Sequence, residues 1–473
     1  MKFTILSHAG LLIEHAGVRL VCDPWLLGSC YWRSWWNFPE PDPELIADLR
    51  ADFVYLTHLH WDHFHGPSLR RFFGPRTRML VPKVPTRRMV EDLRYLGFED
   101  IREIPHGGSL ALGPDLVLRS YQFGLGVDSA AVVTGGGVTI FNCNDAKFFG
   151  LPLKQILRDF PRIDFMLRSH SSAGPIPYCV ENYERLPAET LAQSDAADQF
   201  VRCALHVGAR FAVPFASNHC FLHRETVAYN TTATTPEDVR RHYQEVTART
   251  GQRSECVVMP PGSSWSEGEG FHIRPFDFSA RREYIETMLA RHADRLARCY
   301  AEEDRVAADF AAFRDYFERM LGAVPGFIRR RALAPVVFEV KDCSGERFWL
   351  VDPQRSVVAE LPAPPAGRLA FELHAAVLRD CCRQRMFSVW SASKRLKIKL
   401  PRATALADAT RWLAMLDLYE LETFPLARNL SPRSLLIRFR RWREPVELAA
   451  LLLRRNLLRR PITMASLYPL KAT

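Results

Sequence analysis

The sequence predicts an α/β fold of layered sheets and helices, on three observations. Short apolar strands recur from residue 1 to about 275, Gly, Pro and Asp punctuate them, and helical stretches lie between them. The strands read as "KFTILS", "GLLIEH", "RLVCD", "FVYLTH", "RMLVP", "DLVLRSYQ", "AAVVTGGGVTIFNCND", "DFMLRS" and "RFAVPF". The helices read as "DPELIADLR", "VPTRRMVEDLRYLG" and the long "AETLAQSDAADQFVRCALHVG". Such alternation implies a sandwich whose outer faces are covered by helices.

The elements follow in order. "MKFTILSHAGLLIEHAGVRLVCDPW" alternates apolar and polar residues around the turn "EHAGV" and lacks the apolar run and small-residue cleavage site of a signal peptide, so it is expected to be a hairpin of the mature fold. The strands and helices to residue 275 form one domain. From Arg281 to Gly322 the chain is charged and apolar at helical spacing, which predicts a helix or helix pair in a linker over 276–325. Residues 326–473 form a smaller α+β domain, with strands in "APVVFEVKD", "ERFWLVDP", "SVVAELP", "RLAFELHAAVLRDCC" and "RLKIKLP", the helix "ALADATRWLAMLDLYEL" and a basic helical tail. A chain of 473 residues is longer than one core usually supports, which agrees with this division.

Composition narrows the setting. With 47% hydrophobic and 25% charged residues the chain is that of a globular protein. No stretch reaches the roughly 18 uncharged apolar residues of a membrane span, because the run from Val446 to Leu458 is broken by Arg454 and Arg455. The expectation is a soluble or peripheral protein. Eleven cysteines without a paired CxxC framework indicate free, mostly buried thiols in a reducing cytoplasm. The net charge of +10 attracts phosphates, nucleotides or anionic lipid. Residues 428–461 hold ten arginines, two glutamates and many leucines, a basic amphipathic surface for an anionic membrane or an acidic partner; alternatively, the leucines pack on the preceding domain. No nucleic-acid recognition fold accompanies the charge.

The chemistry concentrates in "THLHWDHFHG", directly after the strand "FVYL". His58 and His60 at i and i+2 can point to one side of a turned loop, while Asp62 and His63 reach a second position nearby. That spacing suits two metal ions, and imidazole with carboxylate suits zinc, iron or manganese. The plain alternative is a histidine-rich surface loop. Asp23 ends a neighbouring strand and can orient a metal histidine or cap the turn at Pro24. His170 follows a strand end as a ligand, a substrate contact or a loop histidine; His65 and His106 read as structural. The aromatic run "YWRSWW" walls a pocket or packs in the core.

These residues resemble the metallo-β-lactamase fold superfamily, whose HxHxDH motif stands here as His58, His60, Asp62 and His63. The resemblance spans residues 1 to about 275 and implies an αββα sandwich. It further implies that His58 and His60 hold one ion, that Asp62 and His63 hold the other, and that Asp145 of "FNCND" bridges them. Asp62 and Asp145 are then the catalytic candidates, and His219 or His223 of "FAVPFASNHCFLH" completes the metal set. A third histidine is missing where "RSYQFGLGVDS" offers Gln122 and Asp128. "DPWLLGSCYWRSWWNFPEP", "FNCND" and "ARFAVPFASNHCFLH" are similar to the corresponding domain of CMP-N-acetylneuraminate hydroxylases. Those enzymes carry a Rieske cluster on a C-x-H and a C-x-x-H pair. Here no C-x-H occurs; only Cys203 with His206 and Cys220 with His223 have the second spacing. The order of elements after residue 326 resembles a sterol-carrier-protein-2-like domain.

The resulting expectation is a dinuclear enzyme acting on a small anionic substrate. With zinc it is a hydrolase in which metal-bound water attacks an ester, amide or phosphodiester, the reading the motif favours. With iron the same ligands support an oxygenase fed by a separate electron donor. A non-catalytic lipid-binding or scaffold protein is the third reading.

Overall fold

A computed structural model describes residues 1–124, 128–171, 173–193, 195–457 and 462–470. Two sheets face one another in the amino-terminal domain. The first has eight strands, in the order Gly270–His272, Ser264–Ser266, Lys2–Ile5, Leu11–His15, Val18–Cys22, Phe53–Tyr55, Arg78–Pro82 and Ile101–Ile104. The second has seven: Glu255–Cys256, Phe211–Pro214, Phe165–Arg168, Val138–Asn144, Asp128–Gly135, Leu116–Phe123 and Gly108–Gly113. Each mixes an antiparallel part made of hairpins with a parallel part whose crossovers are helical.

The core between the sheets explains their alternating residues. Phe3, Ile5, Ile13 and Leu20 from one sheet meet Leu118, Val133, Ile140 and Phe165 from the other, all essentially without solvent contact. The opposite faces of the same strands carry the helices. Val54, Met79 and Val81 pack against Leu69, Met89 and Leu93 of helices Gly66–Phe72 and Arg88–Tyr95. On the far side Phe141 and Met166 pack with Ile156, Phe200, Cys203 and Tyr243 of helices Gly150–Asp159, Ala196–Val207 and Pro236–Thr250. The order helix, sheet, sheet, helix is the αββα sandwich.

Two local readings change. The long helix expected over "AETLAQSDAADQFVRCALHVG" is two, Ala188–Gln193 and Ala196–Val207, because Asp195 takes extended backbone and its side chain accepts the Asp198 N–H as an N-cap. In "RLAFELHAAVLRDCC" the strand stops at His374, whose side chain accepts the Ala376 N–H and starts helix Ala375–Gln384.

The segment after residue 280 forms helices Arg281–Arg291, Ala293–Glu303 and Phe310–Ala323. The first two pack on Trp36, Phe38, Cys220 and Leu222 of the amino-terminal domain. The third belongs to the carboxy-terminal core, where Phe313, Tyr316 and Phe317 meet Phe338, Phe371, Trp390 and Trp412. That domain is α+β. Its five-stranded sheet runs Val357–Leu361, Gly345–Asp352, Val336–Asp342, Leu369–His374, Lys397–Lys399 under helices that include Ala375–Gln384 and Leu406–Glu420.

No helix among the described residues is long and apolar enough to cross a membrane. Ten of the eleven cysteines are buried as free thiols and Cys343 is exposed. In the tail, helices Pro432–Arg440 and Arg443–Leu457 and the Trp442 between them leave Leu435, Leu436, Phe439, Trp442, Val446 and Leu453 exposed, while Arg433 and Glu447 tie the tail to Val84, Glu103 and Leu151.

Candidate metal centre

Parallel strands Val18–Cys22 and Phe53–Tyr55 end side by side, and their carboxy ends deliver the site. Asp23 takes a left-handed backbone, φ 45°, which Asp tolerates better than most residues, and its carboxylate turns under the next loop. There it accepts the Thr57 N–H at 2.8 Å, the Thr57 hydroxyl at 2.7 Å and the His63 Nδ1–H at 2.8 Å. With its own hydrogen given to Asp23, Thr57 Oγ1 accepts the His58 Nδ1–H at 3.0 Å. Both rings are thereby fixed in the tautomer that leaves Nε2 as a lone pair, the arrangement a metal histidine needs.

The loop then brings its four motif residues together. His58 Nε2 and His60 Nδ1 approach to 2.8 Å, and His63 Nε2 lies 3.3 Å from Asp62 Oδ2. Asp145 comes from the end of strand Val138–Asn144. Asn144 adopts φ 44° and accepts the Asp145 N–H at 2.7 Å, which aims the carboxylate at the loop. Asp145 Oδ2 is 3.5 Å from His58 Nε2, and Oδ1 is 3.7 Å from His63 Nε2. One carboxylate therefore faces both halves of the site.

His8 is the residue that sequence reading missed. It lies in the turn "SHAG" between the first two strands, where a Cβ on Gly10 would come within 2.4 Å of Ser7 Oγ. Its backbone N–H is held by Asn37 Oδ1 at 3.0 Å, and its Nε2 lies 3.0 Å from Asp62 Oδ2. Two groups of donor atoms result, His58 with His60 and Asp145, and His8 with Asp62 and His63, each close enough to share one ion. The only signal for His8 in the sequence was its place at a strand end in the first hairpin.

The donor set fits two cations. His63 Nε2, Asp145 Oδ1 and His8 Nδ1 are buried without a hydrogen-bond partner. Burial, with the neighbouring rings, pushes the pKa of His58 well down, keeping it a neutral donor. Burial opposes charge on His63 too, but the Asp62, Asp145 and Asp23 carboxylates outweigh it and raise its pKa well above the ordinary value. That excess of negative charge is what bound cations would neutralise.

The remaining sequence candidates separate. Gln122 turns away, its amide donating to Ser120 Oγ at 2.9 Å, whereas Asp128 lines a cavity of about 280 Å3 with His60. Burial and the Asp145 charge push the Asp128 carboxyl up to about 7. His219 stacks flat on Trp35, 3.6 Å between ring centroids, and stands 5.4 Å from the His8 ring. His170 is also buried against this group, neither ring nitrogen bonded, and burial with the His8 and Arg281 charges pushes its pKa down to about 3. His223 is a correction. Its Nδ1 accepts the Glu225 N–H at 3.2 Å and its Nε2 donates to Glu303 at 3.1 Å, so no lone pair remains for a metal. Cys299 and Glu303 lie beside it, but both Glu303 oxygens are bound by Arg395, at 2.7 and 2.8 Å. His65 caps helix Gly66–Phe72, and His106 bridges Gln122 and Gln155.

The aromatic run divides between site and support. Tyr31, Trp32 and Arg33 are consecutive left-handed residues, φ 53°, 52° and 64°, a strained turn for side chains with a Cβ. The turn presents the Tyr31 hydroxyl to Asp62 Oδ1 and stacks Tyr31 on Trp61. The carboxy-terminal domain holds it in place. Asp380 accepts the Trp32 Nε1–H at 2.9 Å, Arg395 donates to Trp32 O at 3.1 Å, and Ser34 donates to Ser393 O at 2.7 Å.

Parts of this chain are similar to known proteins. Residues 2–148 match the model of the β-lactamase superfamily domain. A Mycolicibacterium smegmatis protein named "Putative Rieske 2Fe-2S iron-sulfur protein" is 31% identical over 416 residues, covering 81% of this chain and 78% of its own. The cytidine monophosphate-N-acetylneuraminic acid hydroxylase of Pongo pygmaeus is 38% identical over 77 residues, 16% of this chain and 13% of the hydroxylase. Among solved structures, an isothiocyanate hydrolase from Delia radicum gut bacteria is 18% identical with a TM-score of 0.42, covering 56% of this chain and 99% of its own.

Proposed function

The chain belongs to the family of these mycobacterial Rieske-named proteins, with a metallo-β-lactamase fold at its amino terminus, and from that premise we propose that it is a dinuclear iron oxygenase acting on a small anionic substrate. The observation that carries the proposal is the carboxylate-rich donor set. Asp62 and Asp145 accompany His8, His58, His60 and His63 in the two donor groups, and Asp128 stands beside His60 on the cavity wall, where a third histidine was expected. Replacing imidazole by carboxylate moves ligand preference towards harder metals. The relatives named as Rieske protein and hydroxylase support redox chemistry in this lineage.

The Rieske cluster itself does not fit this chain. No C-x-H pair exists in it, Cys203 and Cys220 are sealed in apolar cores, and His223 is committed to Glu303. Electrons would come from a separate donor.

Two irons held by His58, His60 and Asp145 on one side and His8, Asp62 and His63 on the other would supply activation of dioxygen. The protein's own residues do the rest. Asp23 and Thr57 hold the histidine tautomers, and Tyr31 and His8 hold Asp62 from two sides. Substrate reaches His60 and Asp128 through the cavity of about 280 Å3, whose other wall is Ser388, Ser391 and Asp417 of the carboxy-terminal domain. Burial and the charge of Glu420 raise the pKa of the Asp417 carboxyl, in the wall of this cavity, well above its ordinary value.

The test is elemental analysis of protein purified without added metal, with an optical spectrum before and after reduction and exposure to air. Two irons per chain and an oxygen-sensitive absorption band are expected. Two zincs with a featureless spectrum would overturn the oxygenase in favour of the hydrolase, and a chain that takes up neither metal would overturn both.

We also propose that the tail rests on anionic lipid. The exposed Leu435, Leu436, Phe439 and Trp442 are interleaved with Arg440 and Arg443, which have no carboxylate within 4 Å among the described residues.

A further inference from the structure

Lys394 reaches from the carboxy-terminal domain into the amino-terminal one. It follows helix Phe387–Ser393 in a left-handed backbone, φ 56°. The next residue fixes its place, because the Arg395 guanidinium binds Glu225 at 2.9 and 3.0 Å as well as both oxygens of Glu303. The Lys394 side chain lines a cavity of about 350 Å3 together with Ser171, Tyr178, Ser217, His219 and Tyr229.

The ammonium there has no counter-charge. Lys394 is only 5% exposed, yet among the described residues its Nζ has no carboxylate within 4 Å and no hydrogen-bond partner. It lies 5.2, 5.6 and 5.8 Å from the ring centroids of Phe221, Tyr178 and Tyr229. Aromatic faces offset part of the cost of a buried charge, but a buried charge is ordinarily paired as well. Glu225 and Glu303 are engaged on Arg395, and Asp195, in the cavity wall, caps the helix through the Asp198 N–H and makes no ion pair with Lys394 within 4 Å. Burial pushes the Lys394 pKa down, as expected of a cation lacking its partner.

A second group points the same way. Ser217 Oγ accepts the N–H of His170 at 2.9 Å and that of Ser171 at 3.0 Å. With both acceptor positions taken, its remaining capacity is to donate its hydroxyl hydrogen, and the cavity is beside it.

We infer that this cavity is an oxyanion subsite, in which Lys394 Nζ and Ser217 Oγ take the carboxylate or phosphate group of the substrate. The inference rests on reading the Asp62 and Asp145 cluster as the reacting centre. His219 forms part of the cavity wall and its ring stands 5.4 Å from that of His8, whose Nε2 contacts Asp62. The rings of Tyr178, Phe221 and Tyr229 suit a substrate whose anionic group sits on a flat or apolar body.

The experiment is calorimetric titration of the full chain with inorganic phosphate and, separately, with benzoate. Wild-type protein is expected to bind at least one of them, and which one binds separates phosphate from carboxylate chemistry. Lys394→Met should weaken binding about ten-fold or more, and Ser217→Ala by a smaller factor, since a charge-assisted contact is worth more than a neutral one. Lys394→Met should melt at or above the wild-type temperature, because an apolar chain of similar shape replaces an unpaired charge. If it fails to fold, Ser217→Ala alone carries the comparison. Failure of wild-type protein to bind either anion, or unchanged affinity in the variants that fold, overturns the subsite. The same titration of a His58→Ala, His60→Ala protein tells the two readings apart. Anion binding that persists there means that the anion sits on Lys394 and Ser217 and not on a bound metal, and wild-type protein that binds the anion but takes up no metal leaves the subsite standing and sinks only the metal reading. Metal uptake without anion binding does the reverse.

Discussion

His8 Nε2 lies 3.0 Å from Asp62 Oδ2, so the turn after the first strand closes on a motif more than fifty residues away. Both side chains are buried, His8 at 1% and Asp62 at 4% exposure, and Asp62 also receives the Tyr31 hydroxyl. The contact completes one of the two donor groups.

If His8 serves an ion, His8→Ala should lower the metal content of the purified chain from two ions to one while Asp145, His58 and His60 keep theirs. Metal analysis after dialysis against a weak chelator measures this. Retention of two ions with unaltered affinity would assign His8 to packing alone.

Asp23 touches no substrate space but holds His63 and, through Thr57, His58. Asp23→Asn should cost roughly 10- to 100-fold in metal affinity, the usual effect of removing a carboxylate behind a metal histidine. A competition titration with a chromophoric chelator reads it directly, and a Thr57→Ala change should shift affinity in the same direction by less.

Glu303 stabilises the domain junction through Arg395 and His223. Although burial opposes its charge, the hydrogen bonds of His223 and Arg395 hold its carboxyl far below the ordinary pKa of 4.5. A carboxyl depressed in the folded state contributes stability above its ordinary pKa and loses it as pH falls towards the folded value. Glu303→Gln should therefore cost about 1.5–3 kcal/mol at pH 7, because Arg395 keeps its pairing with Glu225 but loses the charge-assisted bonds to Glu303. Melting temperatures of the two proteins should differ by a constant amount from pH 7 to 5 and converge below that. A gap that widened on acidification would contradict the ion pair.

The tail should bind vesicles containing phosphatidylserine and ignore those made only of phosphatidylcholine, with binding that weakens as salt rises. Phe439→Asp with Trp442→Asp should abolish the interaction in a flotation assay. Equal binding to both vesicles would leave no role for the arginines.

Much of the fold was legible because it is written in local periodicity. Strand Phe53–Tyr55, the turn into His58, the strand Val138–Asn144 that leads into Asp145 and the helix Leu406–Glu420 each carry their own pattern of apolar residues. The helix break at Asp195 was not legible, since an N-cap inside a continuous helical pattern depends on one side-chain hydrogen bond.

The sequence by itself determined the layered α/β order and the HxHxDH cluster, because periodicity and spacing limit where side chains can point, while its resemblance to the metallo-β-lactamase superfamily implied the sandwich and the candidacy of Asp145. Only the tertiary structure decided that His8 joins Asp62, that Asp128 rather than Gln122 approaches the site, and that His219 rather than His223 stands beside it. The same holds for Lys394 and Arg395, which reach the amino-terminal domain from further along the chain, Arg395 meeting Glu225 across 170 residues. These pairings arise where separate strand ends and two domains converge, and nothing in the local pattern of either partner encodes the distance between them.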